Sequence, residues 1–114
     1  STVASRDSDD EILHGGPVEM DVANHEVRVR GKLVLFPPKE FALLETLLRS
    51  RGRLQTRDRL MGAVWGPAYY GDGKTLDTHV KRLREKIEVE PRRPIHLIVV
   101  RGLGYRFLDR QHAD

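Results

Sequence analysis

Cysteine is absent from this 114-residue chain, which excludes a disulfide framework and any zinc site built on thiolates, and fits a reducing compartment. Long hydrophobic runs are missing too. Uninterrupted apolar stretches such as Leu97-Ile-Val-Val100 reach four residues, far below the ~20 that a membrane-spanning helix requires. No signal-peptide pattern occurs, and a cytoplasmic location is expected. Aromatic residues make up 6% of the chain, a poor supply for the stacking platforms that hold single-stranded RNA. The histidines, at positions 14, 25, 79, 96 and 112, are scattered without metal-ligand spacing, so neither a metal nor a cofactor is expected. No Ser, Thr, Lys or carboxylate sits in a recognisable motif with a base. Asp77 and His79 come nearest, but they lie two apart on a helical pattern and so on different faces. The chain does not read as an enzyme.

What is present is an ordinary globular balance, 39% hydrophobic and 32% charged, at a length that suits one compact domain. The formal net charge of +3 conceals an uneven layout. Residues 1–16 carry one basic and four acidic residues, residues 17–50 balance five against five, and residues 51–114 carry 14 basic against 8 acidic. Positive charge therefore gathers in the second half, where a polyanion would be met. Taken alone, that distribution fits a solvated basic surface equally well. The chain opens on Ser1 rather than Met, as a piece of a larger protein would.

Residues 1–10 are polar, acidic and aperiodic, and read as a linker or disordered lead-in; 11–109 read as the domain and 110–114 as a tail. Short apolar pieces at 12–13, 18–20, 27–29 and 33–36, separated by Gly15-Gly16-Pro17, Asn24 and Arg30-Gly31, predict a small antiparallel meander. From Pro38 the period becomes helical, with Phe41, Leu44, Leu47 and Leu48 on one face and Gly52 closing the segment. Leu54 is expected to form a one-residue bridge of strand. Thr56 is placed to cap a second helix over 57–65, with Asp58 in its first turn and Gly66-Pro67 after its end. A loop over 66–73 leads to a third helix over 74–88, which Pro91 and Pro94 prevent from continuing. A hairpin over 95–100 and 105–108 completes the α+β pattern.

The third helix is the most informative segment. Leu76, Val80, Leu83 and Ile87 fall within a stripe about 60° wide and should dock on the first two helices. Lys74, Thr78, Lys81 and Arg82 point the other way, with Thr75, His79 and Lys86 on one flank and Arg84 on the other. Long donors beside short polar groups are what a helix in the major groove of duplex DNA needs. The competing reading is an amphipathic surface helix, which usually mixes its charges, whereas 74–86 holds five basic residues and two acidic ones. Helix, connection and basic helix make a helix-turn-helix with a long connection. Arg101-Gly-Leu-Gly104 then forms a tight turn whose arginine suits a narrow minor groove.

Four segments together, Pro38-Lys-Glu-Phe-Ala-Leu-Leu44, Leu60 to Val64-Trp65-Gly66, Thr75 to Ile87 and Val100-Arg-Gly-Leu-Gly-Tyr-Arg-Phe107, closely resemble the OmpR/PhoB family of bacterial response-regulator effector domains. The resemblance spans about residues 11–108. It implies a winged helix-turn-helix: an N-terminal four-stranded antiparallel sheet, three helices and a C-terminal β-hairpin wing. It implies sequence-specific duplex binding, probed by Lys74, Thr75, Thr78, His79, Lys81, Arg82 and Arg84 on the helix, with Arg101 as the minor-groove finger of the wing. Trp65 and Tyr105 would brace the DNA backbone, by packing or by a phosphate hydrogen bond. Pro67, Ala68, Tyr69, Tyr70, Gly71 and Asp72, within the loop 66–73, would face RNA polymerase. The resemblance further implies tandem half-sites on DNA, a phosphoaccepting N-terminal receiver domain outside this chain, and a two-component phosphorelay. Three departures stand out. Pro37 occupies the position where the family commonly carries a threonine cap, and Lys74 and Thr78 replace a frequent arginine and a β-branched aliphatic.

Overall fold

The computed structural model describes residues 11–67, 69, 71 and 73–109, so the lead-in over 1–10, the tail over 110–114, and Ala68, Tyr70 and Asp72 lie outside the described residues. Four short strands come first, β1 (Ile12–Gly15), β2 (Val18–Asp21), β3 (Glu26–Val29) and β4 (Lys32–Val34), paired in sequence order as an antiparallel meander. Alternation decides which face is buried. Met20, Val27 and Val34 stand in one cross-strand row facing the core, whereas Glu19, Arg28 and Leu33 form the neighbouring row on the solvent side. The last strand ends earlier than expected from 33–36. Phe36 instead packs partly buried against the core, and Leu35 is exposed.

Helix α1 (Pro38–Arg49) follows. Pro37 accepts the first helical bond through its carbonyl, from the Phe41 N–H at 2.9 Å, but supplies no side-chain cap, as the loss of the family threonine implied. Phe41, Leu43, Leu44, Leu47 and Leu48 are all buried. Strand β5 (Leu54–Thr56) is longer than the single bridge expected. It pairs with β7 (Gly104–Phe107), which also pairs with β6 (Leu97–Val100), so the C-terminal hairpin becomes a three-stranded sheet of order β5-β7-β6. Gly104 makes this possible: a Cβ there would run into the Gln55 carbonyl oxygen. Gly102 supplies the turn between β6 and β7, at a φ of +77°.

Thr56 caps α2 (Arg57–Trp65) as its position predicted, its hydroxyl accepting from the Arg59 N–H at 3.2 Å. Helix α3 (Gly73–Ile87) packs on both α1 and α2 through Leu76, Val80, Leu83 and Ile87, all buried. The next residue, Glu88, is also buried and its carboxylate accepts three backbone N–H groups, from Ile95 at 3.0 Å, His96 at 3.0 Å and Leu97 at 2.8 Å. These bonds occupy the backbone donors of residues 95 to 97, and β6 starts at Leu97 and not at 95. His96, itself buried, stacks on Phe107 with centroids 6.1 Å apart.

Removing the Glu88 carboxylate would strand three backbone donors, two of them in buried bonds, and each unpaired buried donor costs about 1–3 kcal/mol. Glu88→Ala is expected to lower unfolding stability by about 3 kcal/mol in urea titration. A loss below about 0.5 kcal/mol would show that these donors find other partners.

Candidate nucleic-acid interface

The outward side of α3 and the tip of the β6–β7 hairpin form the candidate interface. Burial of the apolar stripe sets the rotation of α3, leaving Lys74, Thr78, Lys81 and Arg82 exposed and Thr75 and His79 partly so. The side chains of Lys81 and Arg82 have no hydrogen bond or ion pair among the described residues. At the hairpin tip Arg101 is likewise exposed and unpaired among the described residues, flanked by the exposed Gly102 and Leu103. At Lys81, Arg82 and Arg101, helix face and hairpin tip thus present cations without a hydrogen bond or ion pair among the described residues.

Two further residues proposed for the interface turn elsewhere. Arg84 donates from Nε to the Leu97 carbonyl at 3.0 Å and lies over the Tyr105 ring, 5.8 Å from its centroid. Its Nη2 is buried without a partner among the described residues, so the guanidinium is a strut between α3 and β6 and not an outward donor. Tyr105 is buried and donates its hydroxyl to Asp77 Oδ1 at 2.7 Å, which favours bracing by packing over a phosphate bond. Lys86, on the flank, is held by Glu40 at 2.7 Å and sits 4.8 Å from the Phe36 ring centroid.

Asp77 gathers the frame of the interface. Arg57, from the first turn of α2, donates to Asp77 Oδ1 at 2.7 Å and to the Gly73 carbonyl at 2.9 Å, while its own N–H donates to the Leu103 carbonyl at 3.2 Å. One arginine therefore touches the start of α3 and the hairpin turn, and Tyr105 closes the triangle. At the other end, Arg30 Nη2 from the β3–β4 turn donates to the Ile87 carbonyl at 2.8 Å, a cation at a helix C-terminus where the dipole favours it. Charge pattern alone marked Asp77 as an acid in a basic helix; its partners come from 20 and 28 residues away.

Trp65 is partly buried, edge-on to His79 at 5.0 Å and stacked with Tyr69 at 5.6 Å. His79 Nδ1 is 2.8 Å from the Thr75 carbonyl, within the same helix. This aromatic group links α3 to the loop that precedes it. Within that loop Pro67 and Gly71 are exposed and Tyr69 half-buried, and a Cβ at Gly71 would collide with the Tyr69 ring. Ala68, Tyr70 and Asp72, also expected there, are outside the described residues. No group of three or more His, Cys, Asp or Glu is placed to hold a metal ion among the described residues.

Comparison with known proteins follows from this geometry. Residues 31–107 match the family described as "Transcriptional regulatory protein, C terminal". The chain is 57% identical over 99 residues to the sensory transduction protein RegX3 of Mycolicibacterium smegmatis, covering 87% of this chain and 43% of that protein. It therefore spans less than half the length of that relative. Among solved structures, the Klebsiella pneumoniae RstA DNA-binding domain in complex with the RstA box is similar at a TM-score of 0.79 and 27% identity, over 88% of this chain and 99% of that one. The response regulator DrrB, a Thermotoga maritima OmpR/PhoB homologue, is similar at a TM-score of 0.77 and 31% identity, over 85% of this chain and 44% of that one.

Arg57 first, and Tyr105 after it, hold the Asp77 carboxyl below its ordinary value of 3.8, against an opposing push from burial. A depressed carboxyl stabilises the fold wherever it is ionised in both states, above 3.8, and the contribution fades as pH falls through the lower folded value. Half of the Asp77 side chain is exposed, so the effect is about 1 kcal/mol or less. The stability difference between the parent and Asp77→Asn should therefore be largest near neutrality and vanish in acid below the folded value. A difference that grows on acidification would contradict the assignment.

Proposed function

We propose, from the premise that this chain belongs to the family of transcriptional regulatory protein C-terminal domains, that α3 enters the major groove of duplex DNA while Arg101 at the hairpin tip reaches the adjacent minor groove. The family is one of DNA-binding output domains of two-component response regulators, not of enzymes. One observation carries the reading. The outward side of α3 keeps Lys81 and Arg82 without partners among the described residues, whereas its flanking cations, Arg84 and Lys86, are bound within the fold.

Each residue has a role in this reading. Arg82 donates in a fork to a guanine edge, Lys81 and Lys74 meet base edges or phosphate as point charges, and Thr75, Thr78 and His79 supply short contacts. Arg101 enters a groove whose narrowness deepens its negative potential. About six phosphate contacts correspond to a log–log salt slope of about −5. No bond is made or broken; the work is binding and placement.

The greater length of the relatives supports a whole regulator in which a phosphoaccepting receiver domain brings two copies onto half-sites about one helical turn apart, in the cytoplasm. No helix among the described residues is long and apolar enough to cross a membrane. The loop 66–73 is the surface for RNA polymerase in this reading. Its support is the attachment of Tyr69 to Trp65, and of Trp65 to His79, which holds the loop against the DNA-reading helix.

Selection of bound fragments from a random duplex library yields the operator and the reference for two variants. Arg82→Ala should cost about 1–3 kcal/mol on the selected duplex and relax preference at one base pair, whereas Arg101→Ala should weaken binding more evenly across sequences. Parent-like titrations for both would place the reading surface elsewhere. For the loop, Tyr69→Ala in the full-length regulator should leave duplex affinity within about twofold and reduce transcription in a purified system; a loss of both together would assign Tyr69 to DNA binding instead.

A further inference from the structure

Beyond the helix and the hairpin tip, a third group of cations stands unengaged. Arg92 and Arg93, in the connection from α3 to β6, are exposed and their side chains have no hydrogen bond or ion pair among the described residues. They are not on a loose segment. Pro91 and Pro94 bracket them, the Arg93 N–H donates to the Glu90 carbonyl at 2.9 Å, and the Glu88 carboxylate fixes the backbone on the far side through Ile95, His96 and Leu97. Two prolines and four hydrogen bonds restrain the backbone, leaving the ordering cost of binding to the two arginine side chains.

The connection is continuous with the reading surface. Arg92 lines a groove of about 420 Å³ with Lys81, Arg84, Glu85, Glu90 and Pro91, so it shares a wall with a cation on the outward side of α3. Arg93 borders the next hollow, beside Ile95. Glu85 and Glu90 offset much of the positive charge inside the groove, which makes it a poor pocket for a buried anion. What remains is a cationic rim, suited to a polyanionic strand lying across it.

We infer that Arg92 and Arg93 form a phosphate clamp that holds the DNA strand flanking the α3 end of the major groove. The clamp rests on the reading of α3 as the DNA-entering helix, and it adds affinity without sequence information, because phosphates are the same at every step. Its role is to fix the register in which Lys81 and Arg82 meet the base edges. A second copy of the chain, docking its own acidic residues on the same rim, is the rival occupant.

The test compares the parent, Arg92→Ala/Arg93→Ala, and Arg92→Lys/Arg93→Lys by fluorescence anisotropy on two short duplexes, one random in sequence and one carrying a single selected half-site, across a range of KCl. Circular dichroism confirms that each variant is folded. The alanine pair should bind both duplexes about tenfold more weakly at low salt, with the salt slope shallower by about 1–2 and the ratio of the two affinities unchanged. The lysine pair, which keeps the charges, should restore the slope. Parent-like affinity and slope for the alanine pair on both duplexes would overturn the clamp. A loss confined to a third duplex, carrying two half-sites and titrated beside these, would overturn it in favour of the second copy. Arg82→Ala, run beside them, separates the two readings: if it loses selectivity while the alanine pair is unchanged, only the clamp fails, and if it too is unchanged, the reading of α3 fails.

Discussion

The packing of four side chains, Leu76, Val80, Leu83 and Ile87, against α1 and α2 governs everything the molecule presents to a partner. Burying one such side chain is worth about 1.5–3 kcal/mol, whereas an exposed ion pair contributes about 0–1 kcal/mol. The apolar seam therefore sets the rotation of α3, and the polar contacts adjust to it. With that rotation fixed, 74, 78, 81 and 82 have no choice but to face solvent. A polar substitution at Leu83 would change the fold and the surface at once, because the same helix carries both.

Around that seam the fold divides its positive charges into two populations. Arg30, Arg57, Arg84 and Lys86 bind carbonyls or carboxylates of neighbouring elements and hold α3 at its two ends and along both flanks. Lys81, Arg82 and Arg101 are left for something outside the described residues. The first population explains why the second is presented in a defined geometry. Arg57 bridges α2, the start of α3 and the hairpin turn, so one residue ties these three elements to one another. Positive net charge by itself would give attraction to any polyanion; fixed cations on a protruding helix give a shape that duplex DNA can match.

Much of this was legible in the residues because it is local. The helical stripe of α3, the Thr56 cap, the meander and the glycines of the hairpin turn each depend on neighbours a few positions away, and each lies where periodicity and turn chemistry put it. What escaped was non-local. Arg84 sits on the edge of the helical face, and spacing cannot say whether its long side chain reaches solvent or the Leu97 carbonyl. Strand β5 exists because β7 lies beside it, so Leu54 alone gave only a hint of one bridge. Glu88 reads as the last residue of the helix expected over 74–88, whereas the helix ends at Ile87 and the three amide partners of Glu88 are assembled by a turn that no period describes. Tyr105 was placed by resemblance near DNA, and its hydroxyl instead finds Asp77.

The Glu88 carboxylate also has a mechanical meaning. It fastens the base of the hairpin to the residue that follows α3, so the spacing of that base from the helix is set by covalent geometry and amide bonds. In the proposed reading, in which α3 takes the wide groove and the hairpin tip the narrow one, a spacing held this way leaves the bending to the duplex, and steps that flex or pinch at low cost become preferred even where no side chain touches a base. Selectivity for pliable DNA is the consequence that reading carries.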